Sequence, residues 1–172
     1  RKNDFNRDLL FTNNYICHFS VFRAEVIKTL KLRKEYDGAQ DYDLILRTCA
    51  LAEGPEYIRH IPKVLYHWRC HTSSTSDNPE SKMYAYEAGR RAAEAAVKEF
   101  CGKHVDVEMT KHLGFYRTLY GEDIFDLRPD IGAVGGPLFK NGRISGGAMD
   151  KDGQVLFGGL PKGFSGLIHI AS

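Results

Sequence analysis

Apolar positions recur with a helical period in some stretches of the chain and alternate in others. Phe22, Val26, Ile27 and Leu30 fall at helical spacing, which predicts a helix over 22–32 with one apolar face. Asp37-Gly38 then marks a turn. A second helix is expected to begin at Asp41 or just before it. Leu44, Ile45, Leu46, Cys49 and Leu51 would form its buried stripe, and Gly54-Pro55 would stop it. The period then shortens, so residues 57–61 and 64–68 read as two short strands separated by Pro62-Lys63. Residues 72–78 form a polar stretch without apolar anchors and read as a loop.

The strongest helix is expected over 79–100, where Ala85, Ala88, Ala92, Ala93, Ala95 and Ala96 are favourable helix formers. Gly102 is placed as its C-terminal stop. Residues 105–120 lean towards extended structure. From Gly121 the composition shifts to glycine-rich short strands and tight turns, so a boundary is placed near 121. Asn141-Gly142, between Leu138-Phe139 and Ile144, is a good hairpin signal, and Asp152-Gly153 before Val155 is a second.

Composition narrows the class rather than the function. The chain has 172 residues, 42% of them apolar and 27% charged, as in an ordinary globular protein. Its net charge is +2 and its basic residues are dispersed, so no nucleic-acid partner is expected. No apolar run is long enough to cross a bilayer, and no signal peptide is visible. Cys17, Cys49, Cys70 and Cys101 are widely spaced, which reads as reduced thiols of a cytoplasmic protein rather than a zinc site or a disulfide framework. Arg1 and the apolar stretch ending at Ser172 both read as cuts through a longer protein.

The candidate chemistry lies in two segments, Gln40-Asp41-Tyr42-Asp43-Leu44 with Leu46-Arg47, and His60-Ile61-Pro62 with Val64-Leu65-Tyr66-His67-Trp68-Arg69. A carboxylate at a helix start lies near the positive end of the helix dipole, which keeps it ionised and suits Asp41 to act as a general base. The plain alternative is that Asp41 merely caps the helix. His67 and Arg69, alternating on a strand, would share one face. An imidazole and a guanidinium there suit a metal-bound diphosphate, or else a packed histidine beside a solvated arginine. Asp41 and Asp43 as a hydrolytic carboxylate pair is disfavoured, because residues two apart on a helix do not face one another.

These two segments resemble the second half of family 2 glycosyltransferases with the GT-A fold, of the bacterial surface-polysaccharide type. Asn14-Tyr15-Ile16-Cys17-His18, Phe22-Arg23, Ser73-Ser74-Thr75 and the Ala-rich helix fit the same pattern, over roughly residues 3–100. The resemblance implies that Asp41, of the Gln40-Asp41 pair, is the catalytic base. It implies that His67 and Arg69 lie near the metal and diphosphate, and that Asn14, Tyr15 and Gln40 lie on the acceptor side. It further implies an inverting enzyme with a nucleotide-sugar donor, a glycan acceptor and a divalent metal, manganese or magnesium. Localisation would be cytoplasmic, and the resemblance allows peripheral association of the parent enzyme with the inner face of the membrane.

In that family a donor-binding half with a metal-holding Asp-x-Asp precedes these motifs. The Asp-x-Asp strings of this sequence are Asp41-Tyr42-Asp43, within the base motif, and Asp150-Lys151-Asp152, which reads as a turn. The isolated chain is therefore expected to be inactive. Residues 130–139, 141–144 and 158–161 are similar to a stretch of a second family 2 domain. The expected fold class is α/β. Residues 1–120 would be the acceptor-side half of a GT-A domain, with helices on a small mixed sheet, and 121–172 a Gly-rich β fragment. The rival is a non-catalytic remnant acting as a binding or scaffold module. The sequence names neither the donor sugar, the acceptor, the linkage nor the oligomeric state.

Overall fold

A computed structural model describes residues 4–52, 54–67, 83–121, 123–131 and 138–146. The chain forms two units, residues 1–122 and 123–172. Within the first lie helices α1 (Arg7–Thr12), α2 (Ala24–Leu30), α3 (Gln40–Ala50) and α4 (Met83–Cys101), followed by strands β1 (Val105–Met109) and β2 (Tyr116–Tyr120). Short 3-10 turns occupy Lys34–Tyr36 and Pro55–Tyr57.

The core of this unit forms where α4 packs between α3 and the β1–β2 hairpin. The alanines that favour α4 locally also keep its inner face small. Ala88, Ala92, Ala93 and Val97 are all buried, which lets α3 approach with Tyr42, Ile45 and Leu46. Val97 is fully enclosed, and burial of a side chain of that size stabilises by about 1.5–3 kcal/mol. A side chain on Gly89 would overlap the Tyr116 hydroxyl, which donates to the Tyr86 carbonyl at 3.0 Å. Tyr116 in turn stacks on Tyr42, whose hydroxyl donates to the Leu10 carbonyl and so ties α1 to α3.

β1 and β2 pair antiparallel, with Val105 opposite Tyr120 and Met109 opposite Tyr116. Val105 and Val107 alternate inwards against α4, as the period of a strand requires. Arg90 on α4 secures the junction by donating to the Val107 carbonyl at 3.0 Å. α4 ends where foreseen, at Gly102, which has a left-handed φ of +91° and returns its N–H to the Lys98 carbonyl.

Two further boundaries have local causes. α2 is shorter than its apolar pattern, because Lys31 turns to φ +52°. Its last carbonyls are taken by another element: Arg47 donates to Leu30 O and Lys31 O, both at 2.8 Å. Gly38 opens α3 with φ +90° and lies against Tyr84 and Ala85 of α4, so both its backbone angle and its lack of a side chain are needed. Leu51, expected in the buried stripe of α3, lies just beyond the helix and is exposed.

Two expectations are corrected. Residues 57–61 and 64–67 are not strands. After the Pro55–Tyr57 turn the backbone is irregular, and Ile61, Val64 and Leu65 are exposed. Their alternating pattern has no neighbouring strand to pair with among the described residues, and alternation without a ladder does not make a strand. The expected mixed sheet is also absent among the described residues, where the two sheets are separate antiparallel hairpins. The second unit, read as a β-rich fragment, also contains a short helix.

That unit holds helix α5 (Ile124–Leu127), capped by the Asp123 side chain accepting from Phe125 N, and strands β3 (Leu138–Lys140) and β4 (Arg143–Gly146). Asn141 and Gly142, at φ +52° and +71°, make the two-residue turn that their identities announce. Arg128, buried, pairs with Asp130 at 2.7 Å. The loop 72–78, the start of the Ala-rich stretch at 79–82 and the Asp152-Gly153 turn fall outside the described residues. No helix among the described residues is long and apolar enough to cross a membrane.

Candidate functional site

Asp41 is the second residue of α3, whose first turn carries unpaired backbone N–H groups and the positive end of the helix dipole. Ala39 precedes the helix and provides no side-chain cap. The Asp41 side chain does not supply one either. It is exposed and receives two side-chain donors from the segment after α1, Asn14 Nδ2 at 3.0 Å and the Cys17 thiol at 3.2 Å, both on Oδ2. No donor among the described residues is recorded on Oδ1.

A cavity of about 260 Å³ opens beside this carboxylate. Leu44 and Ile45 of α3 and Phe22 give it an apolar wall, and Cys17, Ser20 and Asp41 give it a polar one. Ser20 Oγ in the lining and Oδ1 of the Asn14 amide are buried without a hydrogen-bond partner among the described residues. Phe19, also in the lining, is stacked on Tyr66 with ring centroids 6.3 Å apart and planes within 7°. Tyr66 also approaches the His18 ring, at 5.7 Å. The tyrosine of the second motif thus packs on His18 and Phe19, two residues of the cavity wall.

The remaining candidates are placed less directly. His67 is exposed on irregular backbone next to Tyr66, and no contact joins it to Asp41 among the described residues. Its expected strand face, shared with Arg69, does not form at His67; Arg69 itself lies outside the described residues. Tyr15 turns its hydroxyl to the start of α1, where it accepts from Asn6 N at 2.8 Å, and burial pushes its pKa up. Gln40, at the first position of α3, is half-buried. Cys17 and Ser20 were not singled out by sequence reasoning. Cys17 sits in the Asn14–His18 motif, but only the fold shows its thiol on the same oxygen as Asn14.

Asp43 belongs to a different environment. It is 1% exposed and pairs with Arg33 and with Arg47, the latter at 2.6 Å. Burial alone would raise its pKa, but hydrogen bonds from Arg33 and Arg47 outweigh burial and hold it below the usual carboxylate range. Asp43 therefore anchors α2 and the 31–39 segment to α3 and is turned away from the cavity. Among the described residues no group of three or more His, Cys, Asp or Glu side chains is placed to hold a metal ion, so these residues do not fit a resident metal.

The chain matches no known protein family profile and no solved structure. It is 42% identical over 120 residues to a protein of Sinorhizobium fredii named uncharacterized protein y4gI, a match covering 69% of this chain and 13% of that protein. It is 38% identical over 92 residues to the O-antigen biosynthesis protein RfbC of Myxococcus xanthus, covering 53% of this chain and 7% of that protein. The chain thus spans a small fraction of the length of both relatives.

Proposed function

We propose that this chain is the acceptor-side part of an inverting glycosyltransferase of the family 2, GT-A type, acting in surface-polysaccharide synthesis. The observation that carries the reading is the Asp41 carboxylate, exposed at the head of α3 beside a cavity and held by neutral donors on one oxygen. The motif resemblance supports it, and so does the partial relative named for O-antigen biosynthesis. Ser20 Oγ, without a partner among the described residues, suits a ligand rich in hydroxyl groups, which donate hydrogen bonds.

In this reading an acceptor hydroxyl gives its proton to Asp41. The acceptor oxygen attacks the anomeric carbon of a nucleotide sugar as the bond to the diphosphate breaks, and the diphosphate leaves with the bonding electron pair. Attack from the face opposite the leaving group inverts the anomeric configuration. Asn14, Tyr15 and Gln40 lie on the acceptor side, and His67 with Arg69 on the diphosphate side. Donor binding and any manganese or magnesium ion belong to the donor half of the complete enzyme, since the described residues offer no metal site.

Two measurements test the proposal. The complete enzyme, given manganese and a panel of UDP-, GDP- and dTDP-sugars with glycan acceptors, should release nucleoside diphosphate. Asp41→Asn should lower that rate ~10²–10⁴-fold with donor binding unchanged, because asparagine cannot accept the proton. Near-normal turnover in the variant would make Asp41 an ordinary residue of the first turn. Calorimetric titration of the isolated chain with the same sugars should show no useful affinity, and metal-dependent micromolar binding there would place the donor site in this chain. The second reading is a non-catalytic binding or scaffold module, and what discriminates it is whether a donor-binding half acts together with this chain. Glycan binding with no transfer by the complete protein would support that one.

A further inference from the structure

We infer that Asn14 and Cys17 are positioning residues for the Asp41 carboxylate, fixing Oδ1 as the atom that takes the proton; the inference rests on the assignment of Asp41 as base. An exposed aspartate at a helix start can rotate and present either oxygen. Here Asn14 Nδ2 at 3.0 Å and Cys17 Sγ at 3.2 Å both donate to Oδ2; His18 Nδ1 lies against the same sulfur, and with its proton on Nδ1 it donates to the sulfur and leaves the one thiol proton for Asp41. Two donors on one oxygen restrain the carboxylate and leave the other without a donor among the described residues. Both donors are neutral, so they hold the group without the charge pairing that binds Asp43.

The orientation of the Asn14 amide follows from chemistry. Its NH₂ must face the carboxylate, because its own oxygen would be repelled there. That choice leaves Asn14 Oδ1 buried without a partner among the described residues, an arrangement that folding stability alone would not select. The two donors come from a segment 24 and 27 residues before Asp41, so the fold, and not the helix itself, sets the base. This role differs from that of an acceptor ligand: a positioning residue acts through Asp41 and has no effect once Asp41 cannot act.

The test is a double-mutant cycle in the complete enzyme, with nucleoside diphosphate release measured over a range of donor and acceptor concentrations. Asn14→Ala should lower kcat roughly 10–100-fold, with little change in the KM for donor or acceptor, as expected for a misplaced catalytic group. Cys17→Ala should lower kcat to a smaller degree, and Cys17→Ser, which keeps a donor, should restore it. In an Asp41→Asn background, Asn14→Ala should add no further loss. Losses that multiply in that background, or a raised acceptor KM with kcat kept, would overturn the positioning role while leaving Asp41 as base. Turnover surviving Asp41→Asn alone would remove the base, and this inference with it.

Discussion

On α3, Asp43 is 1% exposed and shared by two guanidinium groups, whereas Asp41, two positions earlier, is exposed and carries, among the described residues, an amide and a thiol on one oxygen. Two positions turn a helix by roughly 200°, so one carboxylate faces the interior and the other the cavity. Both oxygens of Asp43 are occupied by charged donors, which lowers its affinity for a proton and fixes it as a structural tie. Asp41 keeps Oδ1 without a donor among the described residues. The number and charge of the donors around it, more than its place at a helix start, separate a carboxylate available for proton transfer from one committed to the fold.

The sharpest way to break this comparison is to neutralise each acid in turn and measure unfolding. Asp43→Asn leaves Arg33 and Arg47 without their counter-charge in a buried position. It should cost about 3 kcal/mol, the low end for breaking a buried pair, since both arginines keep some contact with water. Asp41→Asn should change stability by no more than about 0.5 kcal/mol, as at most surface sites. Equal denaturation midpoints for Asp43→Asn and the unmodified chain would show that the ion cluster carries no stability.

Acid provides a second test of the same tie. Because Asp43 has a lowered pKa in the folded chain, its contribution is fully present above the unfolded aspartate value, about 3.9, and fades as pH falls through the lower folded value. The stability gap between the chain and Asp43→Asn should therefore narrow below about pH 4. A gap that stays constant down to pH 2 would contradict the shift.

Much of the inner side of α3 was legible in the sequence. The apolar stripe Leu44–Leu46 with Cys49 gave the buried face, and the Asp43-to-Arg47 spacing of four is a pattern that a helix turns into a pair. Arg33 was not legible as its third member, because it joins from a segment whose path depends on Lys31 and Gly38. The outer side was legible only as a list. Asn14 was named for its motif, yet its bond to Asp41 spans 27 residues, and no local period encodes that. The apolar alternation at 57–67 misled for a related reason. Sequence shows which residues could pair across a sheet, but not whether a partner strand is there.

Smaller effects probe the outer side. Asn6→Ala removes the cap of α1, where the side chain accepts from Leu9 N at 2.8 Å, and should cost about 1 kcal/mol in chemical denaturation. A null result would mean that Tyr42, bonded to Leu10, holds α1 without help. Ser20→Ala removes a buried hydroxyl that has no partner among the described residues, so stability should stay the same or rise by up to about 1 kcal/mol, while acceptor KM in the complete enzyme should increase. A clear loss of stability would show that the hydroxyl is already satisfied within the fold.

The distribution of thiols has a practical consequence. Cys49 and Cys101 are buried, and burial drives the Cys49 thiol up to about 11, where little thiolate exists at neutral pH. Cys17 is only partly covered and forms no disulfide. With Cys70 changed to serine, a maleimide dye offered to the native chain should attach first at Cys17, on the wall of the Asp41 cavity. The molecule thus carries its own attachment point for an optical reporter, one whose emission would change when anything enters that cavity.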